Sequence, residues 1–257
     1  MKYLGGKQKL GKHIAKAMKE LVPPSMVNGY LEPFCGALGV FIHMTDEYKC
    51  SASDIHPDLI QLWKDVQANV FTPPTSMTEQ RYLEIKNSPG TSALKAFIGF
   101  GLAFGGRYYG SYAPNYTNGK KEDYLQAATN SIRKKQPLIE SAKFFLKSYE
   151  KWKPQKKLIY CDPPYENSKF PIKYRTGTKE YDIFDNNAFW EVMRKWSKNN
   201  YVFISEVSAP DDFICIWEKQ SHRSVAQSKL TRFKFKSDVH QTEKLFVHKS
   251  LEGKFHK

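Results

Sequence analysis

Negative charge is scarce in this chain: 26 Asp and Glu stand against 40 Lys and Arg in 257 residues, a formal net charge of +14 at pH 7. A field of that sign says nothing about fold but favours a polyanionic partner. Cysteine is scarce as well. Cys35, Cys50, Cys161 and Cys215 lie far apart, with no C-x-x-C pair and no histidine at metal-ligand spacing, so neither a zinc site nor a disulfide framework is expected. No apolar run approaches the roughly 20 residues of a membrane span. The N-terminal Met1-Lys2-Tyr3-Leu4-Gly5-Gly6-Lys7 lacks the apolar core of a secretory signal, and the mean hydropathy is −0.59. A cytoplasmic monomer, without membrane or metal, is the expectation. Internal repeats and low-complexity linkers are also missing, which leaves one large domain, or one domain with an insertion.

What is present is organised around Lys157-Leu158-Ile159-Tyr160-Cys161-Asp162-Pro163-Pro164-Tyr165. A short apolar run, readable as a buried strand, ends in a carboxylate, two prolines and an aromatic ring. Proline lacks a backbone N–H and restricts the residue before it, so the strand stops at Asp162 and the chain turns stiffly, leaving carbonyls without strand partners. A planar base bearing an amino group suits such a place: its ring stacks on Tyr165 while its NH2 donates to Asp162 and to the Pro163 carbonyl. A plain Pro-Pro surface turn after a strand explains the same four letters, so the rest of the chain must decide.

The N-terminus carries Tyr3 and Lys7 on either side of Gly5-Gly6, then a helical pattern through Leu10, Ile14, Ala17, Met18 and Leu21 that stops at Pro23-Pro24. Next, Tyr30-Leu31-Glu32-Pro33-Phe34-Cys35-Gly36-Ala37-Leu38-Gly39 reads as a strand, a tight turn, and a helix from about Gly39. In a doubly wound sheet the first strand-to-helix turn lies where ligands bind, and glycine permits close backbone approach. A second strand, Cys50-Ser51-Ala52-Ser53-Asp54, ends in an acid and precedes a helix from Asp58 through Val66. An acid there is placed for the two hydroxyls of a ribose, suggesting a nucleoside-bearing cofactor, although Asp54 serves equally as the N-cap of that helix.

From Asn69 to about Trp152 the character changes to a Gly- and aromatic-rich run, Phe97 to Tyr112, followed by a basic helix carrying Arg133, Lys134, Lys135, Lys143 and Lys147. Interleaved rings and cations suit a nucleic-acid surface, with Arg107, Tyr109, Tyr112, Arg133 and Lys134 as the candidate contacts; a packed helical subdomain whose rings are core is the alternative. Residues 166–185 are polar and rich in Lys, Tyr and Gly, readable as a mobile loop that closes over ligand. A helix at Asn187–Lys198 and a strand at Tyr201–Glu206 return the chain to the sheet. Strands at 213–217 and 244–247 then flank a basic segment, Ser221 to Lys236, in which Arg223 is a further candidate for phosphate.

The order of these signals, Gly-Gly-Lys, turn, acid, insertion, Asp-Pro-Pro-Tyr, resembles the Dam-type DNA adenine-N6 methyltransferases, strongly in short blocks and least in the insertion. The resemblance implies an α/β fold: a Rossmann-like doubly wound mixed sheet of the class I S-adenosylmethionine-dependent methyltransferases. Residues 1–68 and 151–257 are then the catalytic domain and 69–150 an inserted, mainly helical target-recognition domain. It also implies S-adenosyl-L-methionine held by Glu32, Pro33, Phe34, Cys35, Gly36 and Ala37 of the turn, by Asp54 at the ribose, and by Tyr3, Lys7 and Asp162. Asp162, Pro163, Pro164 and Tyr165 become the catalytic block, and double-stranded DNA the partner, with a GATC-like site as first expectation. One departure stands out: the family has a second glycine two residues after the first, where this chain has Leu38. The rivals are an enzyme acting on cytosine N4 or on RNA, and a catalytically silent nucleic-acid-binding module of the same fold.

Overall fold

Three short segments, Tyr30–Glu32 (β1), Cys50–Asp54 (β2) and Leu158–Cys161 (β6), are buried along almost their whole length. Continuous burial is what parallel strands covered on both faces require. The computed structural model describes residues 1–113, 116–117, 120–121, 123–164, 184–222 and 240–254. The remaining strands of the main sheet are Lys143–Leu146 (β5), Tyr201–Glu206 (β7), Phe213–His222 (β8) and His240–His248 (β9), and a small hairpin pairs Tyr116–Thr117 (β3) with Lys120–Lys121 (β4). The sheet order is β5-β2-β1-β6-β7-β9-β8. The first five strands are parallel, and β9 pairs antiparallel with both β7 and β8. The chain leaves β1 towards β2 on one side and later returns to β6 on the other. The switch point of the topology therefore lies between the carboxyl ends of β1 and β6.

Side chains alternate across this sheet with the period of two that strands impose. Leu158, Tyr160 and Phe203 join one core, whereas Ile159, Cys161, Val202 and Ile204 join the other. The first core packs Gly11–Leu21 (α1), Pro57–Gln67 (α2), Ala93–Gly101 (α4) and Tyr124–Lys135 (α5); the second packs Asn186–Ser197 (α6) through Phe189, Trp190, Met193 and Trp196. Helices on both faces make the sheet doubly wound.

Two expectations need correction, and one alternative is decided. No α-helix starts at Gly39; a single 3-10 turn, Phe41–His43, follows the Gly-bearing turn. The basic helix ends at Lys135, and Lys143 begins β5, which pairs with β2, so residues 143–146 belong to the central sheet although the sequence assigns them to an insertion. The run Phe97 to Gly101 is the inner end of α4, with Phe97 and Phe100 buried, because an almost wholly apolar helix has nowhere else to go. The remainder of 69–150 is mainly helical, adding Glu79–Asn87 (α3), and shares the first core with the sheet. Residues 166–183 of the expected mobile loop and 223–236 of the basic segment lie outside the described residues.

Candidate active site

Four acids end four neighbouring parallel strands, or follow directly: Asp54 on β2, Glu32 on β1, Asp162 after β6 and Glu206 on β7. The sequence pattern flagged the first three and missed Glu206, although it closes a buried strand as Asp54 does. β6 ends here because Pro163 and Pro164 cannot donate to the ladder. Asp162 is 19% exposed, and its Oδ1 accepts from Lys7 Nζ at 2.6 Å. The same ammonium lies 3.5 Å from Glu243 on β9 and donates to the Gly5 carbonyl at 3.2 Å. Lys7, expected at the cofactor, thus pairs with Asp162, and no local sequence signal announced Glu243, which arrives on an antiparallel strand.

Glu32 is buried beside this group, and Tyr30 donates its hydroxyl to Oε2 at 2.6 Å. Burial pushes the Glu32 carboxyl well above its usual range, a shift the Tyr30 bond opposes, nearby Asp162 adds to and Lys7 opposes. Pro163 is buried and Pro164 half-buried; Tyr165 lies outside the described residues.

The turn after β1 is pinned on every side. Asp54 accepts from the Gly36 N–H at 3.1 Å and the His56 N–H at 3.0 Å, and Cys35 N–H donates to the Ser53 carbonyl at 3.0 Å. Burial raises the Asp54 carboxyl and those N–H bonds oppose the rise. Trp63 on α2 donates to the Gly36 carbonyl at 2.9 Å, and Lys135 on α5 to the Ala37 carbonyl at 2.6 Å. Gly36 has φ +43, and a Cβ there would come 2.8 Å from the ring of Tyr3. Leu38, fully buried, has φ +59, the left-handed region that costs an L-residue about 1–2 kcal/mol. A Cβ on Gly39 would meet the Lys7 backbone at 2.9 Å, which is how the N-terminal segment comes to lie on the turn and deliver Lys7 to Asp162. Phe34 faces the other core, its ring 5.1 Å from Tyr149 and 5.9 Å from Phe189.

The nucleic-acid candidates divide. Arg107, Arg133 and Lys134 are exposed, the last two on the final turn of α5. Tyr109 and Tyr112 are half-buried and each lies 5.1 Å from the ring of Tyr82, and Tyr112 donates its hydroxyl to the Met77 carbonyl at 2.9 Å. Their rings are therefore tied into a cluster with Tyr108 and Phe100. Arg223 lies outside the described residues. Among the described residues no three His, Cys, Asp or Glu side chains are grouped to hold a metal, and no helix is long and apolar enough to cross a membrane.

The segment that builds the turn, the second acid and the Lys7 arm is also the one a known family shares. Residues 3–92 match the D12 class N6 adenine-specific DNA methyltransferases. That match spans the first two strands of a sheet whose mixed, doubly wound topology is the Rossmann-like one of the class I methyltransferases. Among solved structures, the rRNA methyltransferase aviRa from Streptomyces viridochromogenes aligns at 10% identity and TM-score 0.37, over 94% of this chain and 87% of that one. SMU.472, described as a putative methyltransferase and complexed with SAH, aligns at 11% identity and TM-score 0.31, over 95% of this chain and 55% of that one. No curated protein matches.

Proposed function

We propose that the chain is a site-specific DNA methyltransferase that transfers the methyl group of S-adenosyl-L-methionine to N6 of an adenine flipped out of duplex DNA. The observation that carries the reading is Asp162: a carboxylate at the switch point of the sheet, one residue beyond β6, with its countercharge supplied by a buried lysine at 2.6 Å.

The residues around the turn suit the cofactor. Glycine at 36 lets the ring of Tyr3 lie directly on the turn, where a Cβ would come within 2.8 Å of it, and Asp54 closes β2 with two oxygens that each accept a backbone N–H. A carboxylate has about four lone-pair sites, so capacity for ribose hydroxyls remains. Glu32 to Ala37, Asp54 and Tyr3 would hold the group. When bound, it supplies an electrophilic methyl on a sulfonium.

The protein's own task is to make a poor nucleophile usable. The lone pair of an exocyclic adenine nitrogen is delocalised into the ring. Asp162 and the Pro163 carbonyl, accepting its two hydrogens, orient the amino group and favour the developing positive charge, each contact worth on the order of a few kcal/mol. Transfer is direct, with no covalent intermediate on the protein. The base leaves the stack first, and a ring at Tyr165 would return roughly 1–3 kcal/mol of the lost stacking. Arg107, Arg133 and Lys134 are proposed phosphate or base contacts of a recognition region within 69–142, with GATC the first site to test. Incubation with labelled cofactor and unmethylated plasmid, followed by nucleoside digestion, tests the reading: label in N6-methyladenine supports it, and label in cytosine or RNA alone refutes the substrate.

A further inference from the structure

Two consecutive carbonyls of the turn are gripped from outside it, Gly36 by the indole of Trp63 and Ala37 by the ammonium of Lys135. The peptide joining Ala37 to Leu38 is held at both ends, because the Leu38 N–H donates to the Cys35 carbonyl at 2.8 Å. Lys135 is 4% exposed and lies 5.5 Å from the centre of the Trp63 ring. Burying an ammonium against carbonyl and indole is costly where an apolar side chain would fill the same space. Core packing alone does not account for a lysine there. The peptide it holds leads directly into Leu38 at φ +59, a conformation that needs restraint.

We propose that Lys135 is a positioning residue for cofactor binding, its ammonium holding the Ala37 carbonyl so that the turn keeps its left-handed form at Leu38. The proposal rests on the reading of this turn as the S-adenosylmethionine site. It makes cofactor affinity depend on the charge of a residue ninety-eight positions away from the carbonyl it holds. Burial lowers the Lys135 pKa from 10.5 to about 8. Its charged form is present at neutral pH and is lost as pH rises through about 8. The titratable groups that it acts on do not titrate in that window: the Met1 amine is lowered to about 4, chiefly by burial with Lys135 adding, and burial lowers His43 below 6.5, with Lys135 among the cations that add to the shift.

The test is calorimetric titration of the full chain with S-adenosylhomocysteine at about pH 7 and about pH 9, for wild type, Lys135→Arg and Lys135→Met. At the lower pH, Lys135→Met should bind about tenfold more weakly and Lys135→Arg close to wild type. Between the two pH values the wild-type affinity should fall more than that of Lys135→Arg, which stays charged. Equal binding by Lys135→Met, or the same pH dependence in wild type and Lys135→Arg, overturns the proposal; the second comparison stands even where Lys135→Met does not fold. A wild type that binds no S-adenosylhomocysteine at either pH sinks the reading of the turn itself, and this proposal with it.

Discussion

The ammonium of Lys7 lies between two carboxylates, 2.6 Å from Asp162 and 3.5 Å from Glu243. The unequal distances matter for the proposed chemistry. Asp162 has to accept from an adenine amino group, and a lysine drawn partly towards Glu243 competes less for that acceptor. Glu243→Gln removes the pull. Turnover should fall about tenfold, equivalent to about 1.4 kcal/mol, while calorimetric affinity for S-adenosylhomocysteine stays within about twofold. Unchanged turnover in a folded variant would remove Glu243 from the account.

Leu38 offers a test of backbone strain that inverts the usual order of side-chain size. Truncating a fully buried leucine to alanine opens a cavity and should cost about 2–5 kcal/mol. Leu38→Gly removes still more but relieves the positive φ of +59, worth about 1–2 kcal/mol. Urea unfolding should therefore find the glycine variant no less stable than the alanine variant. A glycine variant weaker by about 1 kcal/mol, as in an ordinary strand or helix interior, would mean that the strain is absent.

His56 caps α2, accepting from the Leu59 N–H through Nδ1 at 3.4 Å, and burial lowers its pKa from 6.5 to about 4. The unfolded chain then binds the extra proton between pH 6.5 and about 4, so this group's contribution to stability is lost as pH falls through that window. Wild type should lose about 2 kcal/mol more than His56→Asn between about pH 7 and about pH 5, asparagine keeping a cap but not the titration. Equal losses in denaturant melts would contradict the assignment.

Much of this was legible before the fold. Apolar runs ending in acid or proline marked β1, β2 and β6, because parallel strands covered on both faces need unbroken burial and ladders stop at proline. The family resemblance over the N-terminal third was likewise carried by Gly-Gly-Lys, the Glu-Pro-Phe-Cys-Gly turn and Asp54. What stayed hidden depended on distant parts of the chain. Nothing in the local pattern says that Lys7 reaches Asp162, that Glu243 comes in from an antiparallel strand, or that Lys135, the last residue of α5, turns inward directly after the exposed Arg133 and Lys134. In the aromatic run, rings and glycines suit both a DNA surface and an apolar helix, and burial of Phe97 and Phe100 puts those two in the helix.

Charge should govern association. DNA affinity should fall steeply between low and physiological salt, and Arg133→Ala and Lys134→Ala should each reduce the slope of log K against log salt by about 1 if the residue contacts a phosphate. Fluorescence anisotropy with a labelled duplex measures this, and a flat salt dependence would argue against DNA as the partner.

The central claim is that Asp162 receives the adenine amino group, and the most direct measurement compares wild type with Asp162→Ala using radiolabelled S-adenosylmethionine and unmethylated duplex, with nucleosides separated after digestion. The account predicts label in N6-methyladenine for wild type. It predicts less than about 1% of that rate for the variant, a loss on the order of a few kcal/mol, with S-adenosylhomocysteine and duplex still bound. A variant that retains a substantial fraction of wild-type turnover, or a wild type whose label appears only in cytosine or RNA, would contradict it.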